Sequence, residues 1–429
     1  MGDDFYQISD QAPERAFIAA IARPKQRIEA DIAELRELLN TAGCMTVGEL
    51  VQRMDQPQPK TYLGSGKIDE LEERIHATDA EVLVIDDELT PSQQRYLENR
   101  FSLRVIDRTT LILDIFARHA HTAEGKLQVE LAQLEYQLPR MRGLWSHLER
   151  LGGGVGTRGP GESQLETDRR LARDRITLLK RRLKVTGNRR RLQRKQRTEG
   201  IIPAVSLAGY TNVGKSSLLN ALTGSTVSAR NRLFETLDPT TRRYSHVGRD
   251  YTITDTVGFI GKLPHGLVDA FASTLEETLS GDLIIHVVDG SIDEEERVEQ
   301  MRSVDDVLDQ IGASVLPQIV VLNKIDLIDA DDRQRLRNRF PDAVLVSAQT
   351  RDGLGDLEIA IAEHFAGRFE AIDLLVPHTE GAVLSALYAL GAPITSREDT
   401  AEGVLIRAQL PLAERERYQR FAIASHPAR

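Results

Sequence analysis

The sequence predicts an α/β protein in four parts. These are an N-terminal α/β domain (1–124), an antiparallel helical hairpin (125–200), a second α/β domain with a mainly parallel sheet (201–368), and a small C-terminal α+β domain (369–429). Three patterns predict it. Short apolar runs alternate with helical stretches at both ends, the middle changes to a heptad period, and a glycine-rich phosphate loop stands between a strand and a helix.

The N-terminal part alternates in order. Ala16–Ala22 reads as a strand, Ile28–Leu39 as an amphipathic helix, and Glu81–Ile85 and Leu103–Ile106 as short strands. Thr90-Pro91 opens a helix with a capping residue and a proline in the first turn. Tyr62-Leu63-Gly64-Ser65-Gly66-Lys67 precedes another helix. Its glycines read as a tight turn, with a phosphate held by backbone amides as the alternative.

Leu127, Leu131, Leu134, Leu138, Met141, Trp145 and Leu148 form a heptad seam, with Pro139 set to kink or interrupt it. Residues 151–161 hold six glycines, and a second seam follows at Leu165, Ala172, Ile176, Leu179 and Leu183. Two seams joined by such a loop predict a helical hairpin with a flexible tip. The net charge is −10, but Asp168 to Arg197 holds fourteen Lys or Arg and two acids. That segment carries +12 and leaves −22 on the rest of the chain. A basic arm on an acidic body favours a polyanion partner over a merely solvated helix face. One cysteine, Cys44, excludes an intrachain disulfide, and no apolar run approaches the roughly 20 residues that span a bilayer. A cytoplasmic protein without a membrane span is expected.

From Ile201 the strands read as Ala204–Ala208, Tyr251–Thr254, Leu283–Val288, Ile319–Leu322 and Ala343–Val346. Gly209-Tyr210-Thr211-Asn212-Val213-Gly214-Lys215-Ser216 fits G-x-x-x-x-G-K-[ST], and Ser217 continues into the helix. Backbone amides there wrap phosphates, Lys215 reaches the β- and γ-phosphates, and Ser216 ligates Mg²⁺. Asp255-Thr256-Val257-Gly258 places a carboxylate on the Mg²⁺ shell through water and the Gly258 amide at the γ-phosphate. In Asn323-Lys324-Ile325-Asp326 the last carboxylate accepts guanine N1–H and N2–H₂, a pair adenine lacks. Ser347 and Ala348 supply the amide for guanine O6. GTP is therefore the expected nucleotide.

Between these motifs lies Phe234-Glu235-Thr236-Leu237-Asp238-Pro239-Thr240-Thr241. Thr236 is the favoured switch hydroxyl over the metal, with Thr240 the runner-up. The expected catalytic set is Lys215, Thr236 and Gly258. Phe259 stands where Ras-like GTPases carry a water-orienting glutamine, so slow intrinsic hydrolysis needing outside help is expected. Asn212 either places a potassium ion or caps the loop.

These stretches together resemble the HflX GTPases of the translation-factor class. The likeness includes the Gly64 turn, Asp107-Arg108-Thr109, Leu127–Leu134, Gly152–Glu162 with Leu165–Arg170, and both switches. The resemblance implies a ribosome-associated GTPase that binds the large subunit, as a monomer when bound, and splits or rescues ribosomes under stress. Gly153, Gly154 and Arg158 at the tip and Arg181, Arg182, Arg189 and Arg190 on the basic run are the expected ribosomal-RNA contacts. An RNA-remodelling enzyme with an ATP-binding N-terminal domain, and a GTPase of RNA modification or small-subunit assembly, are the competing readings.

Overall fold

The computed structural model describes residues 13–24, 28–142, 160–198, 202–225, 233–234, 236–246, 249–262, 281–390 and 393–423, with backbone alone for 142, 160–165, 186–198, 389 and 413. Two compact units emerge. The first comprises Met1–Val185, Asn231–Leu237 and Lys262–Phe271; the second comprises Thr186–Arg230, Asp238–Gly261 and Ala272–Arg429.

The first unit is built as β1 (Glu14–Ala22), α1 (Ile28–Thr41), β2 (Cys44–Arg53), α2 (Ser65–Ala77), β3 (Val82–Ile85), α3 (Pro91–Phe101), β4 (Arg104–Asp107), α4 (Arg108–His119) and α5 (Ala123–Gln137), then α6 (Pro160–Thr198) as far as Val185. Its four strands are all parallel, in the order β2-β1-β3-β4. A parallel sheet is covered on both faces, which explains the unbroken buried run Ala16–Ala22 in β1. Phe17, Ala19 and Ile21 join Leu83 and Ile85 under Ile68, Leu71 and Ile75 of α2 and Leu97 and Phe101 of α3. The edge strand β2 escapes the sequence pattern because its residues are mostly half-buried rather than alternating.

The helix starts follow their caps. Thr90 and Gln93 form a capping box on α3, with Pro91 in the first turn. The Asp107 carboxylate accepts the Thr110 N–H at 2.9 Å at the start of α4. Gly64 caps α2 in an extended conformation, its N–H donating to Gln52 Oε1 at 2.9 Å.

The first heptad reading needs correction. α5 ends at Gln137, ahead of Pro139, and Met141 lies in a separate turn, Arg140–Arg142. Its buried side is Glu124, Gly125, Gln128, Val129, Leu131 and Ala132, while Leu127, Leu134 and Leu138 are half-buried. The helix also packs on α4, and that contact turns its face away from the predicted seam. Trp145 and Leu148 lie outside the described residues. The second seam holds better, with Ala172 and Leu179 buried and Ile176 and Leu183 half-buried. Arg175 meets Glu130 through two bonds of 2.6 and 2.8 Å, and Lys180 meets Glu135 at 2.8 Å, joining α5 and α6.

The second unit runs β5 (Ala204–Gly209), α7 (Lys215–Thr223), β6 (Thr240–His246), β7 (Arg249–Asp255), β8 (Leu283–Asp289), α8 (Glu294–Gln310), β9 (Gln318–Asn323), α9 (Ala330–Arg339), β10 (Val344–Leu345) and α10 (Leu354–Ala366). The sheet order is β10-β9-β8-β5-β7-β6, parallel except for the β6–β7 hairpin. The chain leaves β5 toward β7 on one side and returns to β8 on the other. Its topological switch point is thus the carboxyl end of β5, where α/β sheets bind ligands.

The tail adds β11 (Phe369–Val376), α11 (Gly381–Ala389), β12 (Ile394–Asp399) and β13 (Val404–Pro411), a three-stranded antiparallel sheet in the order β11-β13-β12. Strand β12 is exposed along most of its length, and its polar sequence gave no strand signal. The Arg249 guanidinium stacks over the Phe369 ring at 4.0 Å, and Arg368 pairs with Asp282 at 2.8 Å.

Candidate nucleotide site

Strand β5 ends in Gly209, whose φ is +156° and whose missing Cβ would lie 2.2 Å from the Val287 carbonyl oxygen. Gly214 at the start of α7 has φ +93°, and a Cβ there would meet Asn323 Nδ2 at 2.4 Å. The loop therefore passes where only glycine fits. Asn212 adopts a left-handed φ of 61°, a conformation asparagine tolerates.

Lys215 folds back over this loop, its ammonium donating to the carbonyls of Gly209 at 3.0 Å and Tyr210 at 2.7 Å. Burial lowers its pKa to about 8, against the opposing pull of Asp255. The Ser216 hydroxyl donates to Asp255 Oδ2 at 2.6 Å. Among the described residues no group of three or more His, Cys, Asp or Glu is placed to hold a metal. One hydroxyl beside one carboxylate suits Mg²⁺, which keeps waters and phosphate oxygens in its shell.

Past Asp255, the Thr256 hydroxyl donates to the Leu207 carbonyl at 2.6 Å. Gly258 lies close to the loop, for a Cβ there would meet Lys215 Nζ at 3.0 Å. Phe259 is buried, and its backbone pairs with the loop. Its N–H donates to Gly209 O at 3.1 Å and its carbonyl accepts the Thr211 N–H at 2.6 Å.

Asn323, at the end of β9, bridges two loops. Its Nδ2 donates to the Val213 carbonyl at 2.8 Å and its Oδ1 accepts the Ala348 N–H at 3.0 Å. Asp326 Oδ1 accepts the Ser347 hydroxyl at 2.6 Å. The Ser347 N–H donates to the Asp352 carbonyl at 2.8 Å. Both amides assigned to guanine O6 from sequence therefore already carry protein bonds.

The loop, Asp255–Gly258, Asn323–Asp326 and Ser347–Ala348 thus gather in one unit. The switch stretch divides differently. Phe234 and Leu237 are buried in the first unit, Phe234 edge-on to Phe116 at 4.7 Å with its carbonyl 2.8 Å from His119 Nδ1. Thr236 is half-buried, and Glu235 lies outside the described residues. Thr240 begins β6 opposite Asp255. Arg181 and Arg182 are exposed on α6, Arg189 and Arg190 fall on its backbone-only part, and Gly153, Gly154 and Arg158 lie outside the described residues. Sequence reasoning missed Asp289, which pairs with Lys324. Its signal was a carboxylate closing an apolar run at the same sheet end as Asp255.

A phosphate loop at the switch point of this sheet, with Asp255 and Asn323–Asp326 at the neighbouring strand ends, defines a P-loop GTPase. Residues 29–117 match the family model "GTP-binding GTPase N-terminal", 119–197 "GTP-binding GTPase Middle Region", and 204–324 "50S ribosome-binding GTPase". The chain belongs to the HflX GTPase family. It is 40% identical over 425 residues to GTPase HflX of Caldanaerobacter subterraneus subsp. tengcongensis, covering 99% of this chain and 97% of that one. Escherichia coli GTPase HflX is 42% identical, with 94% and 95% covered. The crystal structure of SsGBP with GDP is 26% identical at a TM-score of 0.47, covering 82% of this chain and 98% of that one. Among the described residues no helix is long and apolar enough to cross a membrane.

The close approach at Gly209 yields a direct expectation. Gly209→Ala should lower the unfolding free energy by about 2 kcal/mol or more, seen as a lower urea midpoint, from backbone strain plus the clash with Val287 O. An unchanged midpoint would contradict this loop geometry.

Proposed function

We propose that the chain is a GTPase whose GTP-bound form engages the large ribosomal subunit through the basic helix α6, and that this engagement speeds hydrolysis. The observation that carries the reading is the exposed basic stretch of α6, including Arg181 and Arg182, in the same chain as the nucleotide loop. The "50S ribosome-binding GTPase" description of the matched model supports it. Phosphate contact and RNA shape would dominate such binding.

In this reading Lys215 and the loop amides hold the phosphates, and Asp326 selects guanine. Ser216 would hold Mg²⁺, which when bound would supply positive charge against the phosphates, and Thr236 is kept as the expected switch hydroxyl. Thr240, the alternative hydroxyl, begins β6 opposite Asp255. The buried Phe259 side chain orients no water, so the stimulus comes from the partner or from a potassium ion near Asn212. We keep the four-part division at 124, 200 and 368, a cytoplasmic setting, a monomer on the ribosome, and splitting or rescue of stalled ribosomes as parts of this proposal. An ATP-binding N-terminal domain is not favoured, since the Gly64 amide is engaged by Gln52.

Co-sedimentation with separated subunits and a GTP analogue tests the partner. The protein should pellet with large subunits, and the charge reversal Arg181→Glu with Arg182→Glu should weaken binding and flatten its salt dependence by roughly 0.7–0.9 in log–log slope per lost phosphate contact. Binding to small subunits alone, or an unaltered slope, contradicts the proposal.

The Lys215 ammonium gives a pH prediction. With a pKa of about 8 in the free loop, it is charged at pH 7 and mostly neutral at pH 9. Phosphates favour the charged form, so GDP binding takes up a proton at high pH and weakens as pH rises. The dissociation constant should increase about tenfold from pH 7 to 9. A flat profile by fluorescence titration would count against this role.

A further inference from the structure

Asp289 is a buried carboxylate beside the nucleotide loop. Asp289 closes β8 at the register position of Asn323 on β9. Its Oδ2 stands 2.6 Å from Lys324 Nζ. Its Oδ1 accepts the Ser291 N–H at 2.8 Å and the Ser291 hydroxyl at 2.6 Å. The carboxylate cannot rotate without giving up these bonds.

The turn that carries it is braced as well. The Gly290 N–H donates to the Asn323 carbonyl at 2.7 Å. The buried Arg297 guanidinium donates to the carbonyls of Asp289 at 3.4 Å and Gly290 at 3.3 Å. On the other side, Lys324 has a left-handed φ of 65° and leads into the short helix Ile325–Leu327 that contains Asp326. Lys324 is thus fixed at its backbone by the turn and at its ammonium by Asp289.

We propose that Asp289 is a positioning residue for purine nucleotides: it tethers the Lys324 ammonium so that the lysine's methylene stem, and not its charge, meets the face of the base. This rests on the reading of Asp326 as the acceptor for the base edge. A lysine pinned at both ends loses its rotamer freedom before the nucleotide arrives, so less ordering is left to binding. Its charge is matched, and the apolar stem is what remains to offer a ring. Contact with a ring face does not sense the edge substituents. Asp289 therefore governs how firmly any purine nucleotide is held, while Asp326 governs which one.

The test measures release rates of fluorescent GDP and XDP from the full chain. Asp289→Asn should speed GDP release about five- to tenfold, the scale of a lost charge-assisted contact. Lys324→Met keeps a stem without an ammonium, and adding Asp289→Asn to it should change nothing further, because the two residues act as one unit. In an Asp326→Asn background, Asp289→Asn should speed XDP release by the same factor. Ser291→Ala removes one bond to Asp289 and leaves the ion pair, and release should stay within about twofold of the parent. Unchanged GDP release in Asp289→Asn, or an equal effect of that change in the Lys324→Met background, overturns the proposal. So does a Ser291→Ala effect as large as that of Asp289→Asn, for the carboxylate would then act by bracing the turn. If Asp326→Asn leaves the GDP-to-XDP preference unaltered, the Asp326 reading fails, while coupling between Asp289 and Lys324 on GDP would still support the tether.

Discussion

The site depends on one buried amide. Asn323 holds the Val213 carbonyl of the phosphate loop with its Nδ2 and the Ala348 N–H with its Oδ1. A side-chain amide has one acceptor and one two-proton donor group, and here each serves a different loop. The phosphate loop, the end of β9 and the loop after β10 are fixed to one another through it. Gly214 has to be glycine because the same amide nitrogen occupies the space of its Cβ. The requirement for glycine and the requirement for asparagine are one constraint seen from two residues.

Around that amide the electrostatics are arranged for a polyanion. Lys215 is buried against two carbonyl oxygens, which accept from its ammonium but do not neutralise it. That setting lowers its pKa, and phosphates reverse the effect. His286, one strand over in β8, is buried near this ammonium, and its pKa falls to about 4. It therefore stays neutral and adds no second positive charge to the sheet interior. The carboxylates Asp255, Asp289 and Asp326 each face a hydroxyl or a cation of the same unit. The strand ends present charge in prepared pairs, which limits the reorganisation needed on binding.

The phosphate loop was legible because its chemistry is contiguous, with glycines, lysine and serine consecutive between a strand and a helix. Asp255, Asn323 and Asp326 were legible because each follows an apolar run. The Asp289–Lys324 pair and the Asn323 bridge were not, since they depend on strand register, which no local pattern encodes. Strands β2 and β12 were hidden because edge positions need not alternate. The predicted seam of α5 failed because α4 covers a different side of it, a tertiary contact that overrides periodicity. In the sequence Phe259 shows only a missing amide, whereas its backbone ladder to Gly209 and Thr211 is what it contributes.

The cradle is built for a guanine nucleotide. The most direct measurement is competition on the intact chain, with a fluorescent GDP displaced by unlabelled nucleotides in the presence of Mg²⁺. GTP and GDP should displace it near stoichiometry, and ATP should fail at about hundredfold excess, as the Asp326 carboxylate left without its two base donors requires. Displacement by ATP at concentrations similar to GTP would contradict the account.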